Sequence, residues 1–402
     1  MGQPPIKIGV DASCWTNKRG YGRYTRELLS TLLAIDQQNE YLLFLDAQTA
    51  SQSDDLPERA HRITVETSQA AVEAASASGH RSLRDLWAMR RAVHKYGQDL
   101  DLFYFPSVYT FFPLRCRAKV IVTIHDTTAE RYPRLVFPNW RSRLLWRLKV
   151  RWAVRQASLV ITVSEASRRS VMREFKVKER VMRVVPDAVG PPFRPIEDRS
   201  QTRQVLAEYG VDADEGFILY VGGISPHKNL GALVVAYASL VREMGDQALK
   251  LVLVGDFQRD VFFSSYTALR EKIAELGVSE KVIFTGFASD RALPHFYNAA
   301  RVLVLPSFDE GFGLPAVEAM ACGTPVVASH AGALPEVVGE AGLFFSPHDP
   351  EELKERLHRL LKDEGLRKEL GKKGLCRARE FSWERSARTA LAAFEGLASE
   401  GR

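Results

Sequence analysis

Residues 302–329 read VLVLPSFDEGFGLPAVEAMACGTPVVAS. The apolar run that begins at Val302 ends at Pro306, as a buried strand does. A loop then leads into Gly311-Phe312-Gly313-Leu314. Pro315 suits the opening of a helix, whose pattern continues to about Cys322. Gly323 stops that helix, and Thr324-Pro-Val-Val-Ala opens the next strand. Two continuously apolar strands joined through a helix are one unit of a parallel sheet covered on both faces. The amides of Phe312, Gly313 and Leu314 are then predicted at a helix N-terminus, where they and the helix dipole favour an anion, typically phosphate. The glycines let the backbone approach it closely.

The alternation extends in both directions. Strands are predicted at 217–222, 249–254 and 282–287, and in the first half at 6–11, 41–45, 102–105, 120–125 and 159–162. Helical patterns lie between them, among them 82–96 and a segment running to about Ile35. At 184–195 the text changes to VVPDAVGPPFRP, with four prolines in twelve residues, which reads as a connector. The expectation is an α/β chain of two doubly wound, Rossmann-like domains facing a central cleft. Their predicted bounds are 1–187, a linker at 188–200, and 201–381, with a helix over 382–402 packing back toward the first domain. Ligands of such sheets sit beyond the carboxyl ends of the strands. No self-similar period is present.

Composition agrees with this. The chain has 402 residues, 46% apolar and 26% charged, enough to bury a large core and too apolar for disorder. Its four cysteines, Cys14, Cys116, Cys322 and Cys376, are far apart and form no C-x-x-C pair, which points to a reducing cytosol and no zinc knuckle. The start, MGQPPIKIGVDAS, lacks a basic n-region and a long apolar stretch, so no signal peptide is expected. No apolar run is long enough for a bilayer span. A cytoplasmic protein is expected. The formal net charge is +6, too small by itself to name a partner.

Two carboxylates flank the glycine device. Glu310 precedes it, and Glu318 lies in the helix eight positions on. A carboxylate accepts paired hydrogen bonds from neighbouring sugar hydroxyls. Glu310 can hold a hexose and Glu318 a ribose; the plainer reading is a solvated loop acid and an acid supporting the helix dipole. After the strand at 217–222 comes Gly222-Gly-Ile-Ser-Pro-His-Lys-Asn, a glycine turn with a lysine. Lys228 can neutralise a diphosphate, although the motif alone is weak and is no Walker A. His125 closes the apolar run VIVTIHD and should emerge at a carboxyl edge. Asp126 reads as a group that orients the loop or His125.

The run E-G-F-G-L-P-x-x-E-A-M-A-C-G-T-P-V-V-A, from Glu310 to Ala328, resembles the retaining glycosyltransferases of family 4, which have the GT-B fold. Segments 20–24, 123–126, 217–230, 282–307 and 381–384 are also similar to that family. The resemblance implies a C-terminal domain that binds a nucleotide-sugar and an N-terminal domain that binds the acceptor. It implies the hexose and ribose roles for Glu310 and Glu318, and catalytic roles for His125, Glu310 and Lys228. Gly20 and Gly22 resemble the glycine loop that closes over the donor phosphates, with Arg23 beside them. Gly223 and His227 also fall in the implied donor site. There the chain departs from relatives that carry arginines, and a neutral histidine is a weaker diphosphate ligand than arginine.

No carboxylate nucleophile for double displacement is assignable, so the resemblance implies retention through a short-lived oxocarbenium-like species, with the leaving diphosphate accepting the acceptor's proton. Asp212-Ala-Asp214 and Asp99-Leu-Asp101 fit a two-residue metal motif that is common by chance. Metal-independent transfer without a cofactor is therefore expected. Residues 139–157 hold six basic residues and no acid. Arg143, Arg147, Arg151 and Arg155 recur at every fourth position beside a row of Trp140, Leu144, Leu148 and Trp152. Either the tryptophans pack on the core, or the helix lies on an anionic membrane surface or a lipid-linked acceptor. A nucleic-acid partner is not expected.

The expected function is transfer of a hexose, with GDP-mannose as donor, to a glycan or lipid-linked acceptor in cell-surface polysaccharide synthesis. The alternatives are a sugar-nucleotide epimerase and a non-catalytic nucleotide-sugar binder. A nicotinamide dehydrogenase is disfavoured because no G-x-G-x-x-G follows a strand.

Overall fold

A computed structural model describes residues 4–68, 82–256 and 265–400. The chain divides into two compact units, Met1–Asp187 with Trp383–Arg402, and Ala188–Ser382.

The first unit is built on a seven-stranded sheet. Its strands are β1 (Lys7–Asp11), β2 (Glu40–Asp46), β3 (His61–Val65), β4 (Leu102–Phe105), β5 (Lys119–Thr123), β6 (Ala157–Thr162) and β7 (Met182–Val184). They lie in the order β3-β2-β1-β4-β5-β6-β7, every pair parallel. The order reverses between β1 and β4, the place where crossovers leave for opposite faces. Right-handed crossovers put the Leu83–Tyr96 and Trp140–Gln156 helices on one face of the sheet. They put the Gly20–Ile35 helix on the other, where the Trp383–Ser399 helix packs against it.

The second unit has β8 (Phe217–Val221), β9 (Lys250–Val254), β10 (Val282–Gly286), β11 (Val302–Leu305), β12 (Val326–Ser329) and β13 (Gly342–Phe345). Their order is β10-β9-β8-β11-β12-β13, again all parallel, with the reversal between β8 and β11. The core is aliphatic: Ile218, Leu251 and Leu253 from the strands meet Leu233, Val234 and Leu240 of the Leu230–Met244 helix.

Several expectations change. The predicted linker, residues 188–200, falls within the second unit. There the Ile196 amide donates to Asn298 Oδ1 at 2.8 Å, and the Phe193 and Tyr297 rings lie 5.9 Å apart. Gly20 and Gly22 do not sit in a loop; they form the first turn of the Gly20–Ile35 helix. The reading that packed Trp140 and Trp152 on the core is overturned. The inward row of the Trp140–Gln156 helix is Ser142, Trp146, Val150 and Ala153, while Trp140 and Trp152 are 69% and 58% exposed.

Candidate functional site

In the second unit, the loops that follow β8 and β11 meet at the switch point. After β8 the chain turns through Gly222 at φ +150°, a conformation that favours glycine, and Tyr220 Oη donates to the Gly223 carbonyl at 2.7 Å. A short turn at Pro226–Lys228 follows, and Asn229 adopts the left-handed conformation at φ 58°. Its side-chain amide donates to the carbonyls of Pro306 (3.1 Å) and Pro347 (2.7 Å), and the Phe308 amide donates to the His227 carbonyl at 2.9 Å. These bonds lock one loop onto the other.

The result is a close cation–carboxylate pair. Lys228 Nζ lies 2.8 Å from Glu310 Oε1, and Ser307 Oγ donates to the same oxygen at 2.6 Å. Burial pushes the Glu310 carboxyl up, but the Lys228 charge and the hydrogen bonds from Lys228 and Ser307 outweigh it and hold the pKa below the usual value. Glu310 is therefore an anion at neutral pH. Gly332, at φ +59°, lies against the Glu310 backbone: a Cβ there would fall 2.5 Å from both its nitrogen and its oxygen. Gly313, at φ +92°, caps the Leu314–Ala321 helix, and a Cβ there would meet Leu334 Cδ2 at 2.6 Å. The side chains of Phe312 and Leu314 are buried, so only their backbones stand at the helix start. Glu318, inside that helix, is 2% exposed and accepts from Tyr297 Oη at 2.6 Å.

In the first unit, β5 stops at Thr123, so His125 stands two residues beyond the strand rather than at its end. Its Nε2 lies 3.0 Å from the Pro106 carbonyl, which can only accept; Nε2 carries the proton and Nδ1 is the acceptor nitrogen. Burial drives the imidazole pKa down to about 4, outweighing the hydrogen bond to Pro106 and the Asp126 charge, which raise it. Asp126 Oδ1 accepts from the Thr128 amide at 2.8 Å and so shapes its own loop. At the start of the Gly20–Ile35 helix, Gly20 faces open space, whereas a Cβ on Gly22 would collide with the Asn17 carbonyl. Gly22 is thus demanded by the close packing of the first helical turn on the preceding Asn17 backbone. Arg143, Arg147, Arg151 and Arg155 are all exposed.

Sequence reading missed Ser307, Asn229, Gly332, Tyr297 and Glu130. Asn229 had a local signal, since asparagine tolerates the left-handed conformation. Gly332, Tyr297 and Glu130 did not, because each acts through a partner distant in sequence; Ser307 stands three residues before Glu310, but nothing in the local pattern says that its hydroxyl turns onto that carboxylate. Glu130 accepts from Trp146 Nε1 at 2.7 Å, and burial pushes its carboxyl up to about 7. The aspartates of the two candidate metal motifs bond within the chain: Asp214 pairs with Arg203 at 2.8 Å, Asp101 Oδ2 accepts from the Lys7 amide at 2.9 Å, and Asp99 lies 3.7 Å from Lys7 Nζ.

Residues 201–375 match the family described as Glycosyl transferases group 1, and residues 19–191 match Glycosyltransferase Family 4. The chain is 30% identical over 390 residues to the O-antigen chain mannosyltransferase B of Escherichia coli, an alignment covering 94% of this chain and 96% of that protein. It is 31% identical over 288 residues to the serotype-specific mannosyltransferase WbdA of Escherichia coli, covering 69% of this chain and 34% of that longer protein. Among solved structures, sucrose-phosphate synthase from Thermosynechococcus elongatus superposes with a TM-score of 0.76 at 23% identity, over 99% of this chain and 100% of that one, a likeness of fold.

Proposed function

The chain belongs to the glycosyl transferases group 1, GT-B enzymes of the family 4 type, and on that premise we propose that it moves a hexose from a nucleoside-diphosphate sugar, with retention of configuration, onto a glycan or lipid-linked acceptor in cell-surface polysaccharide synthesis. GDP-mannose is the donor, a choice supported by the mannosyltransferases among its relatives.

The observation that carries this reading is the Lys228–Glu310 pair at 2.8 Å at the switch point of a Rossmann-like sheet. A nucleoside-diphosphate sugar presents a dianionic diphosphate bonded directly to a polyhydroxylated ring. Lys228 meets the first and ionised Glu310 accepts from hydroxyls of the second. As the glycosidic bond to the diphosphate breaks, charge builds on the leaving oxygens, and a preorganised lysine and helix N-terminus stabilise it without reorganisation. The ring is left with oxocarbenium character. The acceptor hydroxyl attacks from the face the diphosphate leaves and passes its proton to that diphosphate. Glu318, held by Tyr297, is assigned to the ribose, and the Gly20–Gly22 turn and the backbones of Gly223, His227, Phe312, Gly313 and Leu314 to the donor phosphates. His125, neutral at pH 7, is assigned as a hydrogen-bond acceptor for the transferred sugar through Nδ1.

Transfer is proposed to need no metal and no cofactor, a reading supported by the internal bonds of the two aspartate pairs. A thermal-shift panel of GDP-, UDP- and ADP-sugars identifies the donor, since a ligand that binds the native state raises the melting temperature. With that donor and an acceptor, Glu310→Ala is expected to lower transfer at least about a hundredfold, and a chelator to leave it unchanged. Near-normal activity of Glu310→Ala overturns the assignment. Loss on chelation with rescue by manganese overturns the metal-free mechanism. Donor epimerised without acceptor makes the protein an epimerase.

A further inference from the structure

Nine large hydrophobic side chains are exposed among the described residues, and eight of them lie on two helices of the first unit. The Trp140–Gln156 helix exposes Trp140 (69%), Leu144 (46%), Leu145 (51%), Leu148 (54%) and Trp152 (58%). The Leu83–Tyr96 helix exposes Leu83 (83%), Trp87 (62%) and Tyr96 (48%). Soluble surfaces scatter such residues singly; a concentration of this kind marks a contact with something apolar.

The charges on the same helices have one sign. Arg141, Arg143, Arg147, Arg151 and Arg155 are all exposed on the first helix, which contains no acid. On the second, Arg84, Arg91 and Lys95 are exposed, and the single acid, Asp85, is 4% exposed and bonded to Ser68. Guanidinium or ammonium groups lie over exposed rings: Arg141 is 5.6 Å from the Trp140 centroid, Arg91 5.9 Å from Trp87, and Lys95 4.6 Å from Tyr96. The two helices belong to crossovers running in the same direction, so they share one face of the sheet. One packs over β2 and β3 and the other over β5 and β6, on the order of 20 Å apart by strand spacing. No described helix is long and apolar enough to cross a bilayer.

The geometry points to this face as a docking surface for the anionic face of a lipid bilayer, with the two helices lying in the headgroup region. Tryptophan and leucine enter the acyl boundary while arginine remains with lipid phosphates. A second copy of the chain is a poor occupant, because it would set these arginines against their own kind. Nucleic acid has no use for the leucines. The proposal stands apart from the glycosyl-transfer reading, since it is tested without donor or acceptor.

The test is co-sedimentation of the full chain with phosphatidylcholine vesicles and with mixed phosphatidylcholine–phosphatidylglycerol vesicles. Binding to the mixed vesicles only, weakened by added salt and accompanied by a blue shift of tryptophan emission, is expected. Each arginine removed from the Trp140–Gln156 helix by an Arg→Gln change should lower partitioning about fivefold at low salt. The pair Trp140→Ser with Trp152→Ser should weaken partitioning and reduce the blue shift to the part carried by Trp87, while leaving the melting temperature intact. If that pair unfolds the chain, Trp87→Ser with Leu83→Ser reads the other helix in the same way. Equal binding to neutral and anionic vesicles, binding unchanged in these variants, or a dimer in sedimentation velocity that the same variants dissociate would each overturn the proposal.

Discussion

His125, just beyond β5, and Glu130, in the short Thr128–Arg131 helix, stand five residues apart, and burial acts on both by disfavouring charge, with opposite effects on their pKa values. The His125 pKa is lowered to about 4, so the stability of its neutral form is full above its ordinary value of 6.5 and is lost as pH falls through about 4. The His125 ring proton resonances should stay unchanged from pH 8 to pH 6; a midpoint near the ordinary value would remove the neutral imidazole from the mechanism. The Glu130 carboxyl, pushed up to about 7, contributes stability that is full below its ordinary value of 4.5 and is lost as pH rises through about 7. Glu130→Gln keeps an acceptor for Trp146 and removes this titration. Its melting temperature should gain on the wild type as pH rises from 5 to 8, and parallel curves would refute the assignment. Lys228 and Glu310 behave differently because each has the other. Their side chains are only 24% and 16% exposed, and the lysine charge holds the Glu310 carboxyl below its usual value despite burial.

Among the elements, the Trp140–Gln156 helix shows what periodicity leaves undecided. Its sequence offers two apolar rows, Trp140-Leu144-Leu148-Trp152 and Trp146-Val150-Ala153, and both recur at helical spacing. Only packing selects the second, because Trp146 finds Glu130 for its indole N–H and the Tyr109 ring at 5.0 Å. Trp146→Ala should therefore cost about 3–5 kcal/mol, and Trp152→Ala within about 0.5 kcal/mol. Urea unfolding of the two variants checks this, and equal losses would mean that the rows are misassigned. The strands divide in the same way. Interior strands such as β4 and β11, with every residue buried, read clearly as apolar runs. β3, β7 and β13 escaped detection. Each is the last strand at an edge of its sheet, and β3 carries His61-Arg62 at its exposed start. Edge strands are often short, and β7 and β13 span only three and four residues, too few to stand out; β10, at the other edge of its sheet, has five and was legible.

For the whole molecule, the second unit is one continuous segment and the first is not. The Trp383–Ser399 helix completes the first unit by covering the Gly20–Ile35 helix, with Lys119 Nζ bonded to the Leu397 carbonyl at 2.7 Å and the Tyr24 and Trp383 rings 6.0 Å apart. Ending the chain after Ser382 should unfold the first unit and leave the second. Calorimetry of that truncation should show one remaining transition, matching that of residues 188–382 expressed alone; two undiminished transitions would refute it. The sequence by itself determined the α/β class, the two parallel sheets and the run from Glu310 to Glu318, because apolar periodicity, proline and glycine act within a few residues of where they stand. Tertiary structure alone decided that Lys228 meets Glu310 across 82 positions of chain. It also decided that Tyr297 holds Glu318, and that the tryptophan row of a basic helix faces outward. These are long-range choices: hydrogen-bond partners and core area are shared among segments, and no segment contains the information about which neighbour it will find.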